Sequence, residues 1–182
     1  MSYVDYLKSG FEILKLNRKE ISNVAKDEKA TGWGILTLVL TGAVVGLLAT
    51  LLTLGLGAFL IVLYPIMMVV GLYIGAGILY LVSKIFGGNG TYMGLVRPSS
   101  VSSYISILGL IPFVGFLAGI WNIVVWVVTV SETQKLSVGK SVAVVLIPMI
   151  IIGVLAILLF AALFASLLAV GGLGALGSTG GY

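Results

Sequence analysis

The sequence predicts an all-α fold, a polytopic membrane helix bundle with five transmembrane helices behind an N-terminal amphipathic segment. Three observations predict it. Of 182 residues, 60% are apolar and 9% charged, against about 25% charged in a soluble domain. Ionic side chains are too few to clothe a water-facing globule. Long apolar stretches run from Trp33 onward, broken only by short polar connections. Beyond the head, the basic residues fall in every second connection: Lys84 and Arg97 flank one, Lys135 and Lys140 another, and the alternate connections carry no charge. Such a bias turns basic loops toward the cytoplasm. These four residues are therefore the expected topology determinants of a multi-pass cell-membrane protein, N-terminus inside and C-terminus outside.

The formal charge of +4 does not imply a nucleic-acid partner. In residues 1–31, six basic groups (Lys8, Lys15, Arg18, Lys19, Lys26, Lys29) face five acidic ones (Asp5, Glu12, Glu20, Asp27, Glu28), a balance poor for phosphate binding. The surplus sits in the loops, where orientation explains it. Cysteine and histidine are absent, which removes disulfides, thiolate chemistry and the usual zinc and copper sites. No cofactor and no metal is predicted. No cleavable signal peptide is apparent, because the first apolar run begins after about thirty mixed residues.

Residues 1–31 form the head. Tyr3, Val4, Leu7, Phe11 and Leu14 recur at helical spacing with charges elsewhere around the wheel, as in a helix lying at a membrane surface or on its own bundle. Asn17 and Glu20 fit a capping box opening a second short helix. The transmembrane domain, residues 32–170, starts with a span over about 33–54, in which Gly42 and Gly46 form a small-xxx-small pair. The stretch Thr53–Gly57 is a tight outer turn. The second span, about 58–86, holds Pro65, which favours a bend, and Gly71 and Gly75, which offer another close-packing face. Gly87–Ser100 is an inner loop, after which Ser99 or Ser100 can cap a helix.

The apolar run from Val101 to Val130 is long for one span and thin for two. Ile111-Pro112 and Gly115 suggest a turn, giving short helices over about 99–111 and 113–131. The first spans only about 18 Å at 1.5 Å per residue, so a buried hairpin is its expected form. One strongly tilted span is the competing parse, but it would put Glu132, Lys135 and Lys140 outside. The last span covers about 141–170, with Pro148 inside it. Residues 171–182, with six glycines and no charge, read as a flexible tail.

No catalytic residue is predicted. Gly139-Lys140-Ser141 lacks the rest of a phosphate-binding loop, and Asn89-Gly90-Thr91 reads as a turn. Glu132 and Lys135, three apart, suggest a helix-surface ion pair. No Asp, Glu, Lys or Arg lies at mid-membrane depth, which argues against an ion-coupled carrier or proton pump. The polar atoms expected there include Thr37, Thr41, Thr50, Tyr64, Ser106 and Asn122. Asn122 needs partners if buried and is expected to tie helices together, beside Trp121. Gly42, Gly46, Gly71, Gly75, Pro112, Trp121 and Asn122 are the expected packing or partner interface.

The chain resembles the Yip1-domain family of five-span integral membrane proteins, in its prokaryotic-type form, over about residues 10–165. The likeness rests on Asn17-Arg18-Lys19-Glu20 and Gly32-Trp33, then Leu110-Ile111-Pro112-Phe113-Val114-Gly115. It continues through Gly119-Ile120-Trp121-Asn122-Ile123-Val124, Glu132-Thr133-Gln134-Lys135-Leu136-Ser137, Gly139-Lys140-Ser141 and Ile147-Pro148. The resemblance implies a cytoplasmic N-terminus, five spans and no enzyme. Its implied role is membrane organisation, or scaffold and accessory subunit of a membrane complex. The alternative is a small transporter or channel for an uncharged or lipid-like solute. Expected partners are membrane lipids and other subunits, a second copy included.

Overall fold

The computed structural model describes residues 2–178, with side chains through Ser166. It is all helix: α1 (Tyr3–Leu14), α2 (Arg18–Lys26), α3 (Lys29–Leu52), α4 (Leu60–Ile85), α5 (Tyr92–Val101), a 3-10 segment (Ser103–Leu110), α6 (Pro112–Gln134) and α7 (Val138–Ser178). The chain divides into two compact units, residues 1–145 and 146–182. Among the described residues, α3, α4, α6 and α7 are long and apolar enough to cross a membrane.

The head begins with a reciprocal capping box between Ser2 and Asp5, whose backbone and side-chain hydrogen bonds hold the Asp5 carboxyl below its ordinary range. In α2 only half of the expected box forms. Asn17 Oδ1 accepts from Glu20 N (3.3 Å), while Glu20 accepts from Ser9 Oγ instead. Tyr6, Ile13, Ile21 and Val24 are buried with Ala30, Val101, Val125 and Val128 in one apolar core. The amphipathic face of α1 therefore packs on its own bundle, and Val4 and Phe11 stay exposed at 56% and 55%.

The α3–α4 pair is antiparallel and close. A Cβ on Gly42 would stand 2.5 Å from Pro65 Cα, and one on Gly46 would stand 2.8 Å from Ile61 Cα. Only residues without a side chain allow backbones this near. At the turn, Thr50 Oγ1 reaches Gly46 O (2.8 Å) and Gly57 O (2.9 Å), and Gly55 takes φ +89°, which favours glycine. Gly71 and Gly75 differ from the first pair, with nothing within 4 Å of an added Cβ. No neighbour among the described residues packs there.

Two stretches depart from the expected boundaries. The expected inner loop 87–100 is largely helix: Thr91 accepts from Gly94 N and caps α5, so neither Ser99 nor Ser100 opens a helix. Next, the expected 99–111 segment is the end of α5 followed by an eight-residue 3-10 stretch. Pro112 is the first residue of α6, where its missing N–H costs nothing.

The charged residues of unit 1 gather at one end. Lys84 Nζ donates to Gly88 O and Gly90 O (3.1 and 2.9 Å), and Lys140 Nζ donates to Phe86 O (3.2 Å). Arg97 binds Thr31 Oγ1 and Ala25 O (both 3.0 Å). Lys135 takes a left-handed conformation at the C-cap of α6. Glu132 pairs with Arg18 (2.6 Å) rather than with Lys135, because α2 packs across the end of α6. Gln134 is fully buried here. Its Nε2 donates to Thr91 O (3.0 Å), its Oε1 accepts from Ser83 Oγ (3.2 Å), and its carbonyl accepts from Asn89 N (2.9 Å).

In the second unit, α7 continues through Pro148, with apolar side chains exposed from Met149 to Phe164. Its backbone is helical to Ser178, where the sequence alone suggests a flexible tail from 171. Residues 179–182 of that tail lie outside the described residues.

Candidate functional site

Residues 99, 102, 103 and 106 are all serine. On a helix this spacing puts them on one face, and they keep a common side where α5 gives way to the 3-10 stretch. They form one wall of a cavity of about 260 Å³ within unit 1. Leu38 of α3, then Met67, Met68, Gly71 and Leu72 of α4, and Asn122, Val125 and Trp126 of α6 close it. No charged residue lines it.

One polar atom at this cavity is buried without a partner. Ser102 Oγ donates to Pro98 O (2.9 Å), which answers its helix's own carbonyl. Ser103 is only 8% exposed, and its Oγ has no hydrogen-bond partner. A buried hydroxyl in that state costs about 1–3 kcal/mol. Asn122 is half-buried, and its side chain makes no hydrogen bond with another described residue. A second cavity of about 270 Å³ adjoins through Met68 and Ser106 and is lined also by Val45, Tyr64, Gly109 and Leu110.

The other sequence-predicted residues fall elsewhere. Gly42 and Gly46 lie at the α3–α4 contact, Gly71 at the cavity wall and Gly75 beside open space. Pro112 is exposed at the start of α6. Trp121 Nε1 donates to Leu14 O of α1 (2.8 Å) and so meets the head, as Trp33 does through Tyr3 and Tyr6, whereas Trp126 packs at the cavity. Sequence reasoning named Ser106, Tyr64 and Asn122 among intramembrane polar groups and missed Ser102 and Ser103. The Ser-x-x-Ser-Ser-x-x-Ser pattern is the signal that could have found them.

Several apolar helices with most of their surface exposed, and ionic groups confined to one end of unit 1, define a multi-pass integral membrane protein. The family model described as the Yip1 domain matches residues 11–161. The chain belongs to the Yip1-domain family. Comparison with curated proteins and with solved structures gives no match. No group of three or more His, Cys, Asp or Glu able to hold a metal exists among the described residues.

Proposed function

We propose a non-enzymatic role in membrane organisation, as a scaffold or accessory subunit, exerted by loading one leaflet with more helix than the other. One observation carries this reading: α1 packs at the charged end of unit 1, and the 3-10 segment runs from that end only part of the way along α3. Gly34 of α3 meets Ser100, while Leu110 shares a cavity with Val45. Eleven residues of α3 separate those levels, about 16 Å at 1.5 Å per residue, or roughly half of a 30 Å hydrocarbon core. The third and fourth of the five expected segments are then a hairpin that enters from the charged end and turns back at Ile111-Pro112.

Beside the hairpin, α1 presents Val4 and Phe11 outward, as a surface helix does toward headgroups. The basic residues Lys84, Arg97, Lys135 and Lys140 support a cytoplasmic face for this end. Gly75, open on its flank, leaves room for a second copy or another subunit.

Reconstitution tests the reading. The full chain should narrow vesicle diameters, as seen by cryo-electron microscopy, in proportion to protein density, and Val4→Ser with Phe11→Ser should weaken the effect. Unchanged vesicles, or a double variant as active as the parent, would refute it. The serine-lined cavity favours a second reading, a small carrier for uncharged or lipid-like solutes. Glycerol flux through the same vesicles separates the two.

A further inference from the structure

We propose that the serine-lined cavity is a binding site for an uncharged ligand carrying hydroxyl groups on an apolar body, of the diacylglycerol kind. The inference stands whether the bundle organises membrane or carries a solute, because it concerns occupancy alone.

The chemistry of the walls selects the ligand. Ser103 Oγ is a buried donor and acceptor without a partner. Asn122, Ser106 and Tyr64 add side-chain polar atoms that make no hydrogen bond with another described residue. Such groups need partners in a low-dielectric setting. No lysine, arginine or carboxylate lines either cavity, so a phosphate or ammonium headgroup would enter unpaired, at a cost of several kcal/mol. Leu38, Met67, Leu72 and Val125 supply apolar contact opposite the serines. The ligand class is therefore neutral, hydroxylated and largely apolar.

Size and access agree. At about 30 Å³ of liquid volume per water, a cavity of about 260 Å³ exceeds what one or two bridging waters fill. The adjoining cavity, reached past Met68 and Ser106, is nearly apolar apart from Tyr64 and Ser106, and it can take the start of an acyl chain. Met67 on the rim is 59% exposed and Ser106 is exposed, so the entrance lies on the flank of the bundle, where lipid is. A glycerol backbone without a charged headgroup is the bilayer component that can move to that depth. Free glycerol carries the same hydroxyls from the water phase.

Trp126 lines the cavity and reports on it. The experiment uses the full chain in phosphatidylcholine nanodiscs, with Trp33→Phe and Trp121→Phe leaving Trp126 as the sole indole. A 1,2-diacylglycerol brominated on its acyl chains should quench it saturably, and unlabelled dioctanoylglycerol should reverse the quenching. Brominated phosphatidylcholine should quench only in proportion to its mole fraction. If the double replacement does not fold, the difference between the parent and Trp126→Phe gives the same signal.

Ser103→Ala with Asn122→Leu should raise the half-saturating concentration about tenfold, as expected for lost hydrogen bonds. Gly71→Leu should abolish saturation, since Gly71 lines the cavity and an added side chain meets no obstacle within 4 Å of its Cβ. Saturation by free glycerol, absent in Gly71→Leu and without diacylglycerol quenching, would keep the ligand chemistry and assign its source to water. Quenching that never saturates, with no response to glycerol, would overturn the proposal. So would saturation left intact in Gly71→Leu.

Discussion

Four glycines read alike in the sequence have two different surroundings, and alanine separates them. In Gly42→Ala the new methyl would sit 2.5 Å from Pro65 Cα and 2.7 Å from Pro65 N. Both are backbone atoms of a helix, so no rotamer relieves the overlap. Ordinary contact begins at 3.4 Å, so α3 and α4 must part by about 0.9 Å, an overpacking expected to cost about 1–3 kcal/mol. Parting the helices also weakens contacts along the pair, because dispersion falls steeply with a gap of this size. In Gly71→Ala and Gly75→Ala nothing stands within 4 Å, and alanine favours helix over glycine by about 0.5–1 kcal/mol. Thermal unfolding in mild detergent should show Gly42→Ala falling by several degrees, at about 2–4 °C per kcal/mol for a chain of this size. The other two variants should equal or exceed the parent. If Gly75→Ala costs as much as Gly42→Ala, the argument from backbone approach fails.

Further outcomes follow from the charged end. Tyr6 is buried and donates to the Asp27 carboxylate; burial first, and that carboxylate second, push its hydroxyl up to about 12. The raised value means its stabilisation is complete below pH 10 and lost as pH rises from 10 through about 12. Detergent-solubilised parent should lose stability across that window more steeply than Tyr6→Phe, and equal slopes would contradict the burial of Tyr6. Gln134→Leu would strip the side-chain donor from Thr91 O, while Ser83 Oγ keeps its bond to Tyr80 O, with an expected loss of about 1–3 kcal/mol, read by thermal unfolding. A substitution without effect would mean that the 83–91 loop is not held by Gln134. For orientation, a cysteine at Gly139 should resist an impermeant maleimide in intact cells, while cysteines at Leu56 and Gly180 should react. Labelling at Gly139 alone would invert the assignment.

Much of the architecture was legible because the bilayer imposes simple rules. Twenty apolar residues are needed to cross, and Lys84 to Lys140 mark the alternate turns. The head was legible from the 3–14 periodicity and from Asn17. The span over 99–111 was not, because apolar composition alone does not distinguish a crossing helix from a short 3-10 stretch within a bundle. The Gly-rich composition of 87–100 concealed α5, whose start depends on a local cap at Thr91. The partner of Glu132 was equally hidden: sequence neighbours suggested Lys135, whereas Arg18 arrives from 114 positions away. At the cavity, Asn122 and Ser106 stood out as polar residues in apolar surroundings, but only the meeting of four segments shows that they share a space with Ser103.

The proposed hairpin also bears on the surroundings of α6. From Pro112 to Gln134 the helix rises about 33 Å at 1.5 Å per residue, enough for a full crossing. Yet its two halves meet different surroundings. Phe113, Phe116, Leu117 and Ile120 are exposed, whereas Val125, Val127, Val128, Val130 and Gln134 are buried, several of them against α1, α2 and α5. The change falls at Trp121, whose indole is 44% exposed and bonds to Leu14 O of α1. A single tilted span over Val101–Val130 would need apolar exposure along its whole length. A continuous helix is not what forms: the chain breaks at Ile111, between the 3-10 stretch and α6.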